Sequence, residues 1–292
     1  MFAHKHILIA TLGGQPQVVT FTLDLLLAQG FPIGEVILVH PRPAQPRLQQ
    51  ALSSIQSEFI SDYYQAAERV IHLRSHVLRW HGTAIDDIDG DDQADGTLDT
   101  FHRLIGDLKR REYRVHLSVS SGRRLMALLA TAVASLNFDR HDHIWHLYTP
   151  QQVKDVASDG RQMHFPADAG VRLIEVPVPL LGPFYPQTDS FRHAQQERRR
   201  QVETLEHSRC ARVEQESTPA QRRVLRAYSK GLATQQVAIQ LHLSPATVNS
   251  HKTALLVLCA NAWEIEPTVS LDYHFFYRKF ANYFRYAEEE YK

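Results

Sequence analysis

The stretch His6-Ile7-Leu8-Ile9-Ala10-Thr11-Leu12-Gly13-Gly14-Gln15-Pro16-Gln17-Val18-Val19 decides the fold. Its first half is a short apolar run that stops at a glycine pair, the pattern of a strand buried on both faces in a parallel sheet. Past Gln15-Pro16, the run from Val18 to Leu27 is long enough for a helix and closes near Gly30. Glu35 to His40 reads as a second buried strand, stopped by Pro41 and Pro43. Arg47 to Ala67 carries Leu48, Leu52, Ile55, Phe59 and Ile60 at helical spacing, and Val70 to Leu73 is a short strand. Strand, helix, strand, helix, strand is the alternation of a doubly wound α/β domain.

The pattern continues through a predicted helix from Thr97 to Arg111 and a strand from Val115 to Val119 that runs into Ser120-Ser121-Gly122. Arg123 and Arg124 then open an apolar helix, Leu125 to Leu136. His143 to Tyr148 and Arg172 to Val176 are later strands, and Pro177, Pro179, Pro183 and Pro186 close the domain. The acidic run Asp86 to Asp92 lacks the alternate ligands and distant Glu of a calcium loop, so a solvated loop is expected there.

Composition narrows the function classes. The 292 residues suggest about two domains. Two cysteines, Cys210 and Cys259, make neither a disulfide framework nor a Cys-based zinc site. No apolar run approaches the ~20 residues of a membrane helix, and the N-terminal run is too short for a signal peptide. A soluble cytoplasmic protein without membrane contact is expected. The 32 basic and 32 acidic residues cancel, but not evenly along the chain. Up to residue 187 the count is 17 basic against 20 acidic, and beyond it 15 against 12. The basic excess lies in residues 217 to 263, which hold Arg222, Arg223, Arg226, Lys230 and Lys252 and no carboxylate side chain.

That segment has the grammar of a helix-turn-helix. Phe191 to Glu216 is polar and reads as a connecting helix. Thr218-Pro219 is then a cap followed by a proline at the first helical position, Gly231 ends the helix, Thr234 caps a second, and Ser244-Pro245 starts a third after a tight turn at His242-Leu243. The third helix offers Ser244, Thr247, Asn249, Ser250, His251 and Lys252 near its start, polar groups suited to phosphates and base edges. Residues 218 to 258 resemble a LuxR-type helix-turn-helix in Thr218-Pro219, Val224-Leu225, Gly231, Val237-Ala238, Leu241, Ser244, Thr247-Val248 and His251. The resemblance implies that this third helix enters the major groove of double-stranded DNA. Two positions depart from the pattern. Arg223 replaces the usual Glu, and Leu255-Leu256-Val257-Leu258 replaces polar residues, which suggests altered packing at the helix end. The aromatic tail around Tyr273 to Phe280 reads as a packed helix and a candidate dimer contact. A three-helix protein-interaction module is the alternative for the whole segment.

In the first domain, two loops follow buried strands and open helices: Thr11-Leu12-Gly13-Gly14-Gln15-Pro16-Gln17 and Ser120-Ser121-Gly122-Arg123-Arg124. In a doubly wound sheet such loops meet at the carboxyl ends of the strands, where ligands bind. Glycines admit close backbone approach, helix N-termini offer free N–H groups, and two arginines favour a phosphorylated ligand. The G-x-G-x-x-G fingerprint and the Walker loop are both absent, which disfavours a dinucleotide enzyme and an NTPase.

Ala10 to Val19 and Ser118 to Arg124 give a specific resemblance. Residues 4 to 187 are similar to the Rossmann-like CARF domain of type III CRISPR systems, in its ring-nuclease-like family. The resemblance implies a homodimer binding cyclic oligoadenylate, most often cyclic tetra-adenylate, through Thr11, Leu12, Gly13, Gly14, Gln15, Gln17, Ser120, Ser121, Gly122, Arg123 and Arg124. His40, after the second strand, is a further ligand-binding candidate. Some relatives cleave the ring without metal, which implies catalytic roles for Arg124, Arg123 and Thr11 and no cofactor. Three readings stay open: a ligand-responsive regulator of the antiviral response, a ring nuclease, and a sensor that recruits a protein. The expected layout is an α/β domain over 1–187, a linker over 188–216, an all-α helix-turn-helix over 217–265 and a C-terminal helix over 266–292.

Overall fold

The computed structural model describes residues 5–166, 168–179, 188–266 and 268–289, with side chains described up to residue 285. The expected terminating Pro183 and Pro186 lie outside the described residues. Two compact units emerge, Met1–Gln196 and Glu197–Lys292.

The first unit is built on six strands: β1 (His6–Thr11), β2 (Ile33–His40), β3 (His72–Val77), β4 (Arg114–Ser118), β5 (His143–Tyr148) and β6 (Arg172–Glu175). Their order across the sheet is β3-β2-β1-β4-β5-β6, parallel except for the antiparallel β5–β6 edge pair. All six residues of β1 are buried, and alternate side chains serve opposite faces. Ile7 and Ile9 join Ile37 and Val39 in one core, with Phe101 and Ile105 of α3 (Asp91–Arg110) and Met126 and Val133 of α4 (Arg124–Asn137). Leu8 and Ala10 join Val36 and Leu38 in the other, with Val19 and Leu23 of α1 (Gln17–Ala28) and Leu48 and Ile55 of α2 (Pro46–Glu58). The short α5 (Gln151–Ala157) follows β5. A strand that must bury both faces cannot alternate apolar and polar residues. That is why β1 and β2 read as unbroken apolar runs.

Three expectations change. The helix from Arg47 ends at Glu58, because Phe59–Ile60, Tyr63–Tyr64 and Arg69–Val70 pair as a small antiparallel patch around a turn with Ser61 and Asp62 at positive φ. Aromatic and β-branched residues there favour a pleated surface over a helix. The third strand of the main sheet is therefore His72–Val77, two residues beyond the predicted start. The acidic run is a loop only up to Gly90. Asp91 and Asp92 sit in the first turn of α3, where the helix dipole favours anions.

The second unit contains α7 (Pro219–Tyr228), α8 (Thr234–Leu241), α9 (Pro245–Ala262) and α10 (His274–Glu289), together with most of α6 (Phe191–Glu216). Helix α6 is more than a linker. Phe191 and Ala194 belong to the first unit's core, while Cys210 and Val213 are buried in the second's. Thr218 and Gln221 complete a capping box for α7, and the Ser244 hydroxyl accepts from the Thr247 N–H at 3.0 Å to cap α9. The cap of α8 is Ala233, not Thr234. Thr234 is the first helical residue, and its hydroxyl lies 2.9 Å from the Tyr228 hydroxyl.

Candidate functional site

The strand order reverses between β1 and β4, so the crevice beyond their carboxyl ends is where an open parallel sheet receives a ligand. Both glycine loops lie there. The hydroxyl hydrogen of buried Thr11 is shared between the Ser118 and Ser121 carbonyls, and the Gly13 N–H donates to Ser121 Oγ at 3.3 Å. A Cβ on Gly13 would stand 2.9 Å from the Gly122 Cα, so these backbones touch only because neither residue has a side chain. Gly122 itself has φ +82°, a conformation that costs glycine little. The loops then enter α1 and α4 at the positive ends of their helix dipoles; in α1 the Val18 and Val19 N–H groups already donate to the Gln15 and Pro16 carbonyls at 3.3 and 3.0 Å.

The sequence-derived residues sort into four groups. Leu12 and Thr11 are buried, so Leu12 offers a ligand only its backbone, and Thr11 acts by locking the loops together. Ser120 Oγ accepts from the Leu147 N–H at 2.5 Å and lies 3.4 Å from His146 Nδ1. Gln15 and Gln17 are tied to one another at 2.6 Å, and both reach the turn at Asp159–Gly160. Arg123 and Arg124 are exposed at the start of α4. Arg123 pairs with Asp87 at 2.6 Å, while Arg124 has no ion pair among the described residues.

His40 stands apart from these groups. It is buried, with Nδ1 2.6 Å from the Pro41 carbonyl and Nε2 2.5 Å from Ser75 Oγ. Burial lowers its pKa, which favours the neutral ring that donates to the carbonyl and accepts from the serine. Both nitrogens are thus engaged inside the fold.

Two clefts flank the first loop. One, of about 350 Å³, lies between Gln15, Gln17 and Phe21 on one side and Ser120, His146, Tyr148 and Lys154 on the other. The second, of about 190 Å³, is lined by Gly13, Gly14, Arg42, Arg47 and Arg123. Sequence reading missed Arg42, Arg47, His146, Lys154 and Asp159. The first two follow the carboxyl end of β2, and that position was a usable signal. Asp159 lies in a short turn 144 residues from its partner Gln15, and nothing local marks it. Among the described residues no group of three His, Cys, Asp or Glu side chains could hold a metal ion. No helix among them is long and apolar enough to cross a membrane.

In the second unit, Asn249 and Ser250 are exposed on the first turns of α9. Thr247 Oγ1 lies 2.8 Å from Ser244 Oγ, and Lys252 donates to Asn249 Oδ1 at 2.9 Å. His251 and Lys252 are half-buried. The six residues therefore share the N-terminal half of one helix. The tail is the packed helix its spacing predicts: Phe275, Phe276, Phe280 and Phe284 of α10 pack into the same core as Val224, Val248 and Leu255, while Tyr277 is exposed.

No curated protein matches the chain. Among solved structures, Csm6 of Enterococcus italicus, bound to cyclic hexa-2′-fluoro-hexa-dAMP, shares 14% identity at a TM-score of 0.40, over 82% of this chain and 56% of its own. Can2 from Sulfobacillus thermosulfidooxidans, in complex with cyclic tetra-adenylate, shares 13% identity at a TM-score of 0.30, over 89% of this chain and 65% of its own. The chain thus spans little more than half of the first and just under two thirds of the second. Residues 218–257 match the bacterial regulatory proteins of the luxR family. Residues 15–210, about two thirds of the chain, match the family model described as CRISPR-associated protein NE0113, and the chain belongs to that family.

Proposed function

We propose that this protein senses cyclic oligoadenylate in the crevice beyond β1 and β4 and converts its occupancy into a change in DNA binding by α9. The observation that carries the reading is the joining of two glycine loops by Thr11 and Gly13 at the switch point, with a helix N-terminus behind each. Such a site offers backbone N–H groups and guanidinium donors to phosphates. A cyclic tetra-adenylate has its own two-fold symmetry, which suits an isologous dimer of this chain presenting each loop twice. The luxR-family match supports the output: a basic module whose third helix would enter the major groove. The ligand shifts the regulator only by its differential affinity for the two states.

Arg124 supports a second reading, slow cleavage of the same ligand. It is exposed, opens α4 and is without an ion pair among the described residues, so its charge is available to a phosphorane-like transition state. In that reaction a ribose 2′-oxygen bonds to the adjacent phosphorus, and the P–O5′ bond breaks. The 2′-hydroxyl proton leaves to solvent and the 5′-oxygen takes one up. The site's contribution is in-line positioning and charge stabilisation.

One incubation separates the readings. Purified protein in EDTA is mixed with cyclic tetra-adenylate, and the ligand is read by mass. Tight binding with linear products bearing 2′,3′-cyclic phosphate ends is expected for a sensor that also cleaves. In that case Arg124→Ala slows turnover far more than it weakens binding. Bound but intact ligand leaves sensing alone, and no binding to any ring size overturns both readings.

A further inference from the structure

Three arginines from three separate segments line the cleft of about 190 Å³ beside Gly13 and Gly14. Arg42 follows β2, Arg47 is in the first turn of α2, and Arg123 caps α4. Each guanidinium meets a carboxylate from yet another place in the chain: Arg42 with Asp86, Arg47 with Asp159 at 2.6 Å, and Arg123 with Asp87 at 2.6 Å. Arg47 lies so close over Gly14 that a Cβ there would come within 2.6 Å of its Cδ. The Asp159 turn is held from a second side by Gln15, which donates to the same carboxylate at 2.8 Å.

These pairs are solvent-exposed, with the arginine side chains 54–64% accessible. Exposed pairs contribute little to stability and open easily, so the convergence has no evident value to the fold. It does match the donor set that grips a phosphate: forked guanidinium groups around a loop whose backbone is open to approach. Three positive groups facing one small space would repel one another without anions between them.

We propose that this cleft is a phosphate subsite, in which Arg42, Arg47 and Arg123 take a phosphodiester of the ligand while Asp86, Asp87 and Asp159 hold the arginines until the phosphate displaces them. The exchange replaces three carboxylate charges with the single charge of a phosphodiester, and the released carboxylates turn to solvent. It also frees the loop at Asp86–Asp87 and the turn at Asp159, so occupancy reaches two segments away from the glycine loops. This rests on the cyclic oligoadenylate reading of the crevice.

The test measures affinity of the full-length protein for cyclic tetra-adenylate. Arg47→Ala and Arg42→Ala each weaken binding about tenfold or more, the size expected for a charge-assisted pair. Asp159→Asn tightens it about threefold, a gain that misfolding cannot produce, and has no effect in the Arg47→Ala background. Wild-type affinity in both arginine variants, or no gain from Asp159→Asn, overturns the subsite. Should the wild-type protein bind no cyclic oligoadenylate, the reading of the crevice fails, and the subsite is judged with tripolyphosphate instead. Binding of tripolyphosphate that is lost in Arg47→Ala supports it, and no binding overturns it.

Discussion

His164 joins two helices through two carboxylates. Its Nδ1 lies 2.7 Å from Asp24 Oδ2 in α1, and its Nε2 lies 3.1 Å from Glu58 Oε2 at the end of α2. The hydrogen bond to Asp24 is the chief cause of a pKa raised from 6.5 to about 9, with Glu58 adding to it and partial burial opposing. His116 is the opposite case. Burial first, then the neighbouring His143 and His6, push its pKa down to about 3. It stacks between those two rings and accepts from Trp145 Nε1 at 3.1 Å, which keeps it neutral. The signs therefore differ. His164 contributes stability that is fully present below pH 6.5, its unfolded value, and is lost as pH rises through about 9. His116 favours the fold above pH 6.5 and penalises it as pH falls toward 3. We predict that His164→Gln flattens the fall in urea midpoint between pH 6.5 and 9. An alkaline limb identical to the wild type's would refute this assignment. Because its side chain is 36% exposed, solvent screens part of the effect.

Helix α10 shows what an element's sequence can and cannot say. Its aromatic spacing marks one apolar face, and a face that must be covered is visible in sequence. What covers it is not, because a second copy and the chain's own α7 and α9 are chemically alike. Phe276 and Phe280 are fully buried against the helix-turn-helix, and Phe275 meets Trp263 edge-on at 5.2 Å. Lys279 adds an ion pair to Glu206 of α6 at 2.7 Å. We predict that Phe280→Ala costs about 3–5 kcal/mol, as large aromatic truncations in a core do. Hydrogen exchange across α7 to α9 should accelerate in that variant, and wild-type protection there would show that α10 is dispensable. Elsewhere legibility followed burial. β1, β2 and the loops after β1 and β4 were readable because two-sided burial leaves unbroken apolar runs ending in glycine. The patch at Phe59–Val70 was not, since its apolar residues fit a helix until the Ser61-Asp62 turn redirects them. In the site, the glycine loops were visible as local motifs. The arginine–carboxylate partners Asp87 and Asp159 depend on contacts across the fold and leave no local trace.

At the scale of the whole molecule, net charge zero hides a division of labour. The basic excess sits in residues 217–263, yet the second unit modifies it: Arg226 pairs with Glu214 of α6 at 3.0 Å. That pair comes from a helix the sequence reading treated as a connector, so summing charges over the module alone overstates its pull on phosphate. Arg222, Arg223, Lys230 and Lys252 have no ion pair among the described residues; Arg222 donates to the Ser217 carbonyl at 3.1 Å and Lys252 to Asn249 Oδ1 at 2.9 Å, neutral acceptors that leave the charge in place. About four such cations per copy should release about that many counterions, each lowering the slope of log affinity against log salt by about 0.9. We predict a slope of about −3.6 for one copy on duplex DNA between about 50 and 200 mM salt, and twice that for a bound pair. Lys252→Ala should make it shallower by about one per copy and weaken binding similarly on all sequences if the lysine meets phosphate. Asn249→Ala should act differently, relaxing sequence preference while leaving the slope alone, because an amide reads base edges and displaces no counterion. Electrophoretic mobility or anisotropy titrations across that salt range measure all three. Affinity indifferent to salt would remove DNA as the partner of α9 and leave its polar face to another protein.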